Sequence, residues 1–95
     1  MKTGISKTET LIKNKLEQQG SRQTAAWLVD YFLKKYSDGA LTSDELSDTA
    51  TYANGLDSIE ECFDDQDFAG ATNIAKDTAV EMLEEEGFNF EDSIV

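Results

Sequence analysis

The residues best placed to do chemistry in this chain are carboxylates, and they recur at helical spacing. Asp57, Glu60, Glu61 and Asp64 fall at i, i+3, i+4 and i+7, one face of a helix. Asp77, Glu81, Glu84 and Glu85 repeat the pattern further along. Asp44, Glu45 and Asp48 add a shorter group, and Asp65 and Asp67 sit between the two longer ones. Like charges at these spacings cost a helix about 0.2–0.5 kcal/mol per pair. Solubility alone needs far less charge. At about 1.5 Å per residue, the carboxylates from 57 to 64 span roughly 10.5 Å, or one charge per roughly 2.6 Å. Duplex DNA carries one per about 1.7 Å. Two adjacent stripes of this kind would match a nucleic acid in linear charge density and fit a groove built for phosphates. The plainer reading is a set of solvated helix faces on an acidic protein.

Catalysis finds little support in the same residues. Paired-carboxylate chemistry needs a cleft and separated pKa values. The chain has no His, a single Cys and no glycine-rich phosphate loop. That removes the commonest general base and the commonest zinc ligand together. Asp65-Gln66-Asp67-Phe68-Ala69-Gly70 opens like a calcium loop. The later ligand positions, which need oxygens and a closing Glu, fall on Ala69 and Lys76. No enzyme activity, metal or cofactor is expected. Cys62 excludes an intramolecular disulfide and, on the same apolar face as Ile59, reads as an inert core thiol.

The charge is split along the chain. Residues 1–36 carry seven Lys/Arg against three Asp/Glu, a net of +4. Residues 37–95 carry one Lys against seventeen Asp/Glu, a net of −16. The basic part has the segment lengths of a helix-turn-helix, with Arg22, Gln23 and Thr24 where a reading helix needs polar residues. Ala25 to Leu33 is too apolar to read DNA, and the acidic remainder repels phosphates. Direct nucleic-acid binding is therefore not expected. The basic segment is expected to ion-pair with the acidic half or to carry a dimer contact.

These stripes need helices to hold them, and the rest of the sequence supplies the signals. Ser6-Lys7-Thr8-Glu9 fits a capping box, and Gly20 is a natural stop, which predicts a helix over 7–19. Ser21 is a good cap for a second helix over 22–37, whose Ala25, Leu28, Val29, Phe32 and Tyr36 share a face and whose end is Asp38-Gly39. Thr42-Ser43-Asp44-Glu45 is another capping box, followed by a stripe of Leu46, Ala50 and Ala53 that Asn54-Gly55 closes. Leu56, Ile59, Cys62 and Phe63 form the inner face of the next helix. Asp64-Asp65-Gln66-Asp67 breaks that helix or caps the last, which runs from Phe68 through Met82 and Leu83 to Gly87. Phe88 and Phe90 in the tail are expected to fold back onto the bundle. Residues 56–83 resemble one tetratricopeptide hairpin, which implies an antiparallel helix pair; a single repeat cannot bury its own face.

The expected fold is all-α: one domain over 1–95, a compact bundle of four to five helices. Residues 1–37 form a basic and apolar scaffold, 42–86 the acidic helices with their charged face, and 88–95 a short tail. Trp27 and Tyr31, four apart beside the main apolar face, are either core or an outward contact. No stretch reads as a secretory signal or a membrane span, and the single cysteine fits a reducing compartment, so a cytoplasmic protein without membrane association is expected. The expected function is non-catalytic: mimicry of nucleic acid, with the carboxylates docked in the basic groove of a DNA- or RNA-binding protein. Small inhibitors of restriction, CRISPR, recombination or transcription proteins from phages and mobile elements are similar in size and acidity. The alternative is a helical adaptor or oligomerisation module, including a homodimer, that uses an apolar surface around Trp27 and Tyr31.

Overall fold

The computed structural model describes residues 4–42, 44 and 48–87. Three helices make up these residues: α1 (Gly4–Ser37), α2 (Ala50–Asp64) and α3 (Phe68–Glu85). Among the described residues the fold is all-helical, with three helical elements, the first of them two arms joined across a kink at Gly20. Two glycines shape these elements.

Gly20 takes φ 83° and ψ 172°, a combination essentially restricted to glycine. Helical geometry is interrupted there, as the stop signal predicts, and the segments expected over 7–19 and 22–37 meet at Gly20 as two helical arms of α1. That helix starts at Gly4, which puts Ser6 inside it and not at its cap. Ser21 donates its hydroxyl to Glu60, 3.1 Å away on α2.

Gly55 lies inside α2, so Asn54-Gly55 stops nothing. A Cβ at this position would meet the Thr78 Oγ1 and Cγ2 atoms of α3 at 2.5 Å. Glycine stands here because the Thr78 side chain of α3 occupies the space a Cβ would need. The helix is capped instead at Thr49, whose hydroxyl accepts from the Tyr52 N–H at 3.2 Å. α2 thus joins the end of one expected helix to the whole of the next. Ala50 and Ala53, expected inward, are exposed, and Tyr52 is buried in their place. Glu45 and Leu46, and with them part of the expected capping box, lie outside the described residues, as do Phe88 and Phe90.

The remaining boundaries follow the sequence signals. Asp38 and Gly39, both at positive φ, end α1, and the Gly39 N–H donates to the Lys34 carbonyl at 2.8 Å. Gln66 at φ 59° makes the turn between α2 and α3, and Asp67 caps α3 by accepting from the Gly70 N–H at 3.0 Å. The acidic run both breaks one helix and caps the next.

α2 and α3 pack as an antiparallel hairpin. Gly55 faces Thr78, Thr51 donates to Glu85 at 2.7 Å, and the Phe63 and Phe68 rings lie 6.3 Å apart beside the turn. α1 packs against both. The core joins Ile12, Leu28, Val29, Phe32 and Leu33 of α1 to Tyr52, Leu56, Ile59 and Phe63 of α2 and to Phe68, Ala71, Ala75, Ala79, Met82 and Leu83 of α3. None of these helices is long and apolar enough to cross a membrane.

Candidate acidic interface

Burying the Ile59 and Phe63 side of α2 leaves its carboxylates outward. Asp57, Glu61, Asp64, Asp65 and Asp67 are exposed and Glu60 is half-buried. On α3 the buried face is Phe68, Ala71, Ala75 and Met82, and Asp77, Glu81, Glu84 and Glu85 are exposed. Asp44 and Asp48 are exposed as well, and Glu45 lies outside the described residues. Residues 48–87 carry twelve Asp/Glu against Lys76 alone.

The α2 stripe is divided by a counter-ion from the basic half. Arg22 Nη1 sits 2.7 Å from Asp57 Oδ1 and 2.8 Å from Glu60 Oε2, and the Ser21 hydroxyl adds its bond to Glu60. These hydrogen bonds, that to Glu60 first, hold the guanidinium above its ordinary pKa, so it stays charged at any physiological pH. Among the described residues no cation reaches Glu61, Asp64 or Asp65, nor Asp77, Glu81 or Glu84. The latter three border a shallow depression with Lys76 and Val80. Asp67 serves as a helix cap and Glu85 as an acceptor for Thr51, so both have local work beside their charge.

The described α1 cations are engaged within the chain. Lys13 pairs with Glu9 at 3.3 Å and lies 5.5 Å from the centre of the Phe68 ring. Lys15 lies over Trp27 at 5.4 Å and Lys35 over Tyr31 at 5.9 Å. Lys34 pairs with Asp30 at 3.0 Å. Arg22, the best candidate for reading DNA, is the residue that ties α1 to α2. The expected pairing of the basic segment with the acidic half is present, and Arg22 carries it.

Trp27 and Tyr31 part company. Trp27 is half-buried against the core, beneath Lys15. Tyr31 is 51% exposed and meets Phe32 edge-on at 5.1 Å. Cys62 is half-buried, not fully buried as expected. Burial first, and then the carboxylates of Asp67, Asp65 and Glu61, push its thiol pKa up. That keeps it protonated and poorly nucleophilic at neutral pH. No cluster of three or more His, Cys, Asp or Glu with metal-binding geometry occurs among the described residues.

The Ser21–Glu60 and Thr51–Glu85 bonds were not foreseen. Their hydroxyls lie far in sequence from the carboxylates they meet, and nothing in the local pattern marks such pairs. Comparison of the chain with family models, curated proteins and solved structures finds no match.

Proposed function

We propose that this chain is a non-catalytic binding protein whose acidic α2–α3 hairpin stands in for nucleic acid in the basic groove of a nucleic-acid-binding protein. The observation that carries the reading is the ratio of twelve carboxylates to one lysine over residues 48–87, eight of the twelve borne on two packed helices. Helices fix the spacing of those charges, so docking orders little backbone. The α1 cations support the same reading, because those described are drawn into contacts inside the chain. The contacts that matter most are Glu61 and Asp64 on α2, Asp65 just after it, and Asp77, Glu81 and Glu84 on α3, the carboxylates that no described cation reaches. Association with a basic groove would be fast and steeply salt-dependent. The targets that fit are restriction, CRISPR, recombination or transcription proteins that hold nucleic acid in such a groove.

The exposed ring of Tyr31 favours a second reading, an adaptor that docks through α1. One experiment separates the two. A partner captured from native host extract is challenged with duplex DNA and with salt raised from about 0.1 M to about 1 M, where the Debye length falls from about 10 Å to about 3 Å. Release by both supports mimicry. A partner that survives both, and is lost on Tyr31→Ala, supports the adaptor and refutes mimicry.

A further inference from the structure

The bend in α1 has a second consequence, seen at Thr24. This residue is fully buried, and its hydroxyl has no hydrogen-bond partner among the described residues. In a regular helix a threonine hydroxyl donates to the carbonyl four residues earlier. For Thr24 that carbonyl belongs to Gly20. With ψ at 172° in place of the helical value of about −42°, the Gly20 carbonyl is turned away from the helix direction. The bend therefore orphans the hydroxyl, and straightening α1 would restore its acceptor.

The two arms are held unequally. The arm after Gly20 buries Ala25, Leu28, Val29, Phe32 and Leu33 and is latched to α2 through Ser21 and Arg22. Of the described side chains in the arm before it, only Ile12 is fully buried, with Leu16 packed at the edge and Lys13 over the Phe68 ring. A straight α1 of 34 residues would be about 51 Å long. The molecule's longest extent is 37 Å. A straightened first arm, about 24 Å of helix, would project beyond the bundle and leave both its own apolar side and the site beside Phe68 uncovered. The surface that complements it is the identical site on another copy, left open by the same movement.

We propose that the arm 4–19 is exchangeable, and that its partner is a second copy of this chain in a reciprocal dimer with α1 straight through Gly20. Each arm then makes in its neighbour the contacts it makes here within one chain, and each Thr24 hydroxyl gains the Gly20 carbonyl. A short hinge favours exchange of this kind most when a substitution puts its backbone under strain. The inference is independent of the proposed mimicry, since it concerns α1 and leaves the acidic hairpin intact.

Gly20→Ala tests it. No atom lies within 4 Å of the added Cβ, so size is no obstacle, whereas the φ of 83° is strained for alanine. The variant is expected to dimerise at a concentration at least about tenfold lower than the unaltered chain, read by sedimentation equilibrium. In a dimer mixed from isotopically labelled and unlabelled copies, nuclear Overhauser contacts between Lys13 and the Phe68 ring must cross between copies. Ser21→Pro, tolerated at the start of the second arm and hostile to a continuous helix, is expected to abolish the dimer. Ser21→Ala removes only the bond to Glu60 and is expected to keep it. If Gly20→Ala does not fold, the unaltered chain at millimolar concentration gives the same reading against Ser21→Pro. A chain that stays monomeric throughout, or a dimer whose Lys13–Phe68 contacts remain within one copy, overturns the proposal.

Discussion

Replacing Gly55 by alanine measures how closely α2 and α3 meet. In an exposed helix interior the change stabilises by about 0.8–1.0 kcal/mol. Here the new Cβ falls 2.5 Å from the Thr78 Oγ1 and Cγ2 atoms and 3.0 Å from Thr78 Cβ. Turning χ1 of Thr78 moves the first two atoms but not the third, and Thr78 is buried. Overpacking of this kind costs about 1–3 kcal/mol, and a contact with Cβ argues for the upper part of that range. Net of the helix gain, Gly55→Ala is expected to lose about 1–2 kcal/mol, or roughly 5–15 °C in Tm for a domain of this size. In a Thr78→Ala background the two nearest atoms are gone, and the same change is expected to be close to neutral. The coupling between the sites is then about 1–2 kcal/mol in a double-mutant cycle followed by urea unfolding and far-UV circular dichroism. A Gly55→Ala protein more stable than its parent, or a coupling below about 0.5 kcal/mol, would refute the close approach.

Further outcomes follow from single contacts. Arg22→Ala is expected to lose about 0.5–1 kcal/mol at low salt, because its two ion pairs are partly exposed, and to lose much less near about 1 M salt; a loss that salt leaves unchanged would mean that the guanidinium matters through packing. Thr24→Val removes a buried, unpartnered hydroxyl and is expected to stabilise the bent form by about 1 kcal/mol in thermal unfolding. A destabilised Thr24→Val protein would show that the hydroxyl has an acceptor. The raised pKa of Cys62 leaves less thiolate at neutral pH than an ordinary thiol has. Its alkylation by iodoacetamide is expected to be slower in the folded chain than in urea, with the folded rate rising as pH passes above the normal thiol range. Equal rates in the two states would count against that environment.

Periodicity made most of the core legible. The spacing of Leu28, Val29 and Phe32, and of Ala71, Ala75, Ala79 and Met82, belongs to helices that bury one side, and those residues are buried. Turn chemistry placed the ends at Asp38-Gly39, Asp67 and Gly87. Glycine was legible at one place and misled at another. At Gly20 the backbone leaves helical values, as the stop signal there implies, and a second helical arm follows directly. At Gly55 the glycine serves a neighbour remote in sequence, Thr78, which no local pattern reveals. The acidic residues were legible as stripes and as exposed groups. The sequence also raised pairing between the basic and acidic halves, but the particular partners of Arg22, Asp57 and Glu60, lie 35 and 38 residues away and are set by the packing of α1 on α2.

The short turn between α2 and α3 bears on the order in which the chain assembles. Contacts within this hairpin close small loops, while those of α1 must close larger ones, so the hairpin is the cheaper part to form first. Yet it is also the part that repels itself most, and Arg22, its one cross-helix counter-ion among the described residues, arrives with α1. The barrier to folding therefore holds a concentration of negative charge not yet compensated. Added salt is expected to quicken refolding more than it slows unfolding in stopped-flow experiments, so the sequence separation between Arg22 and its carboxylates acts as a kinetic delay.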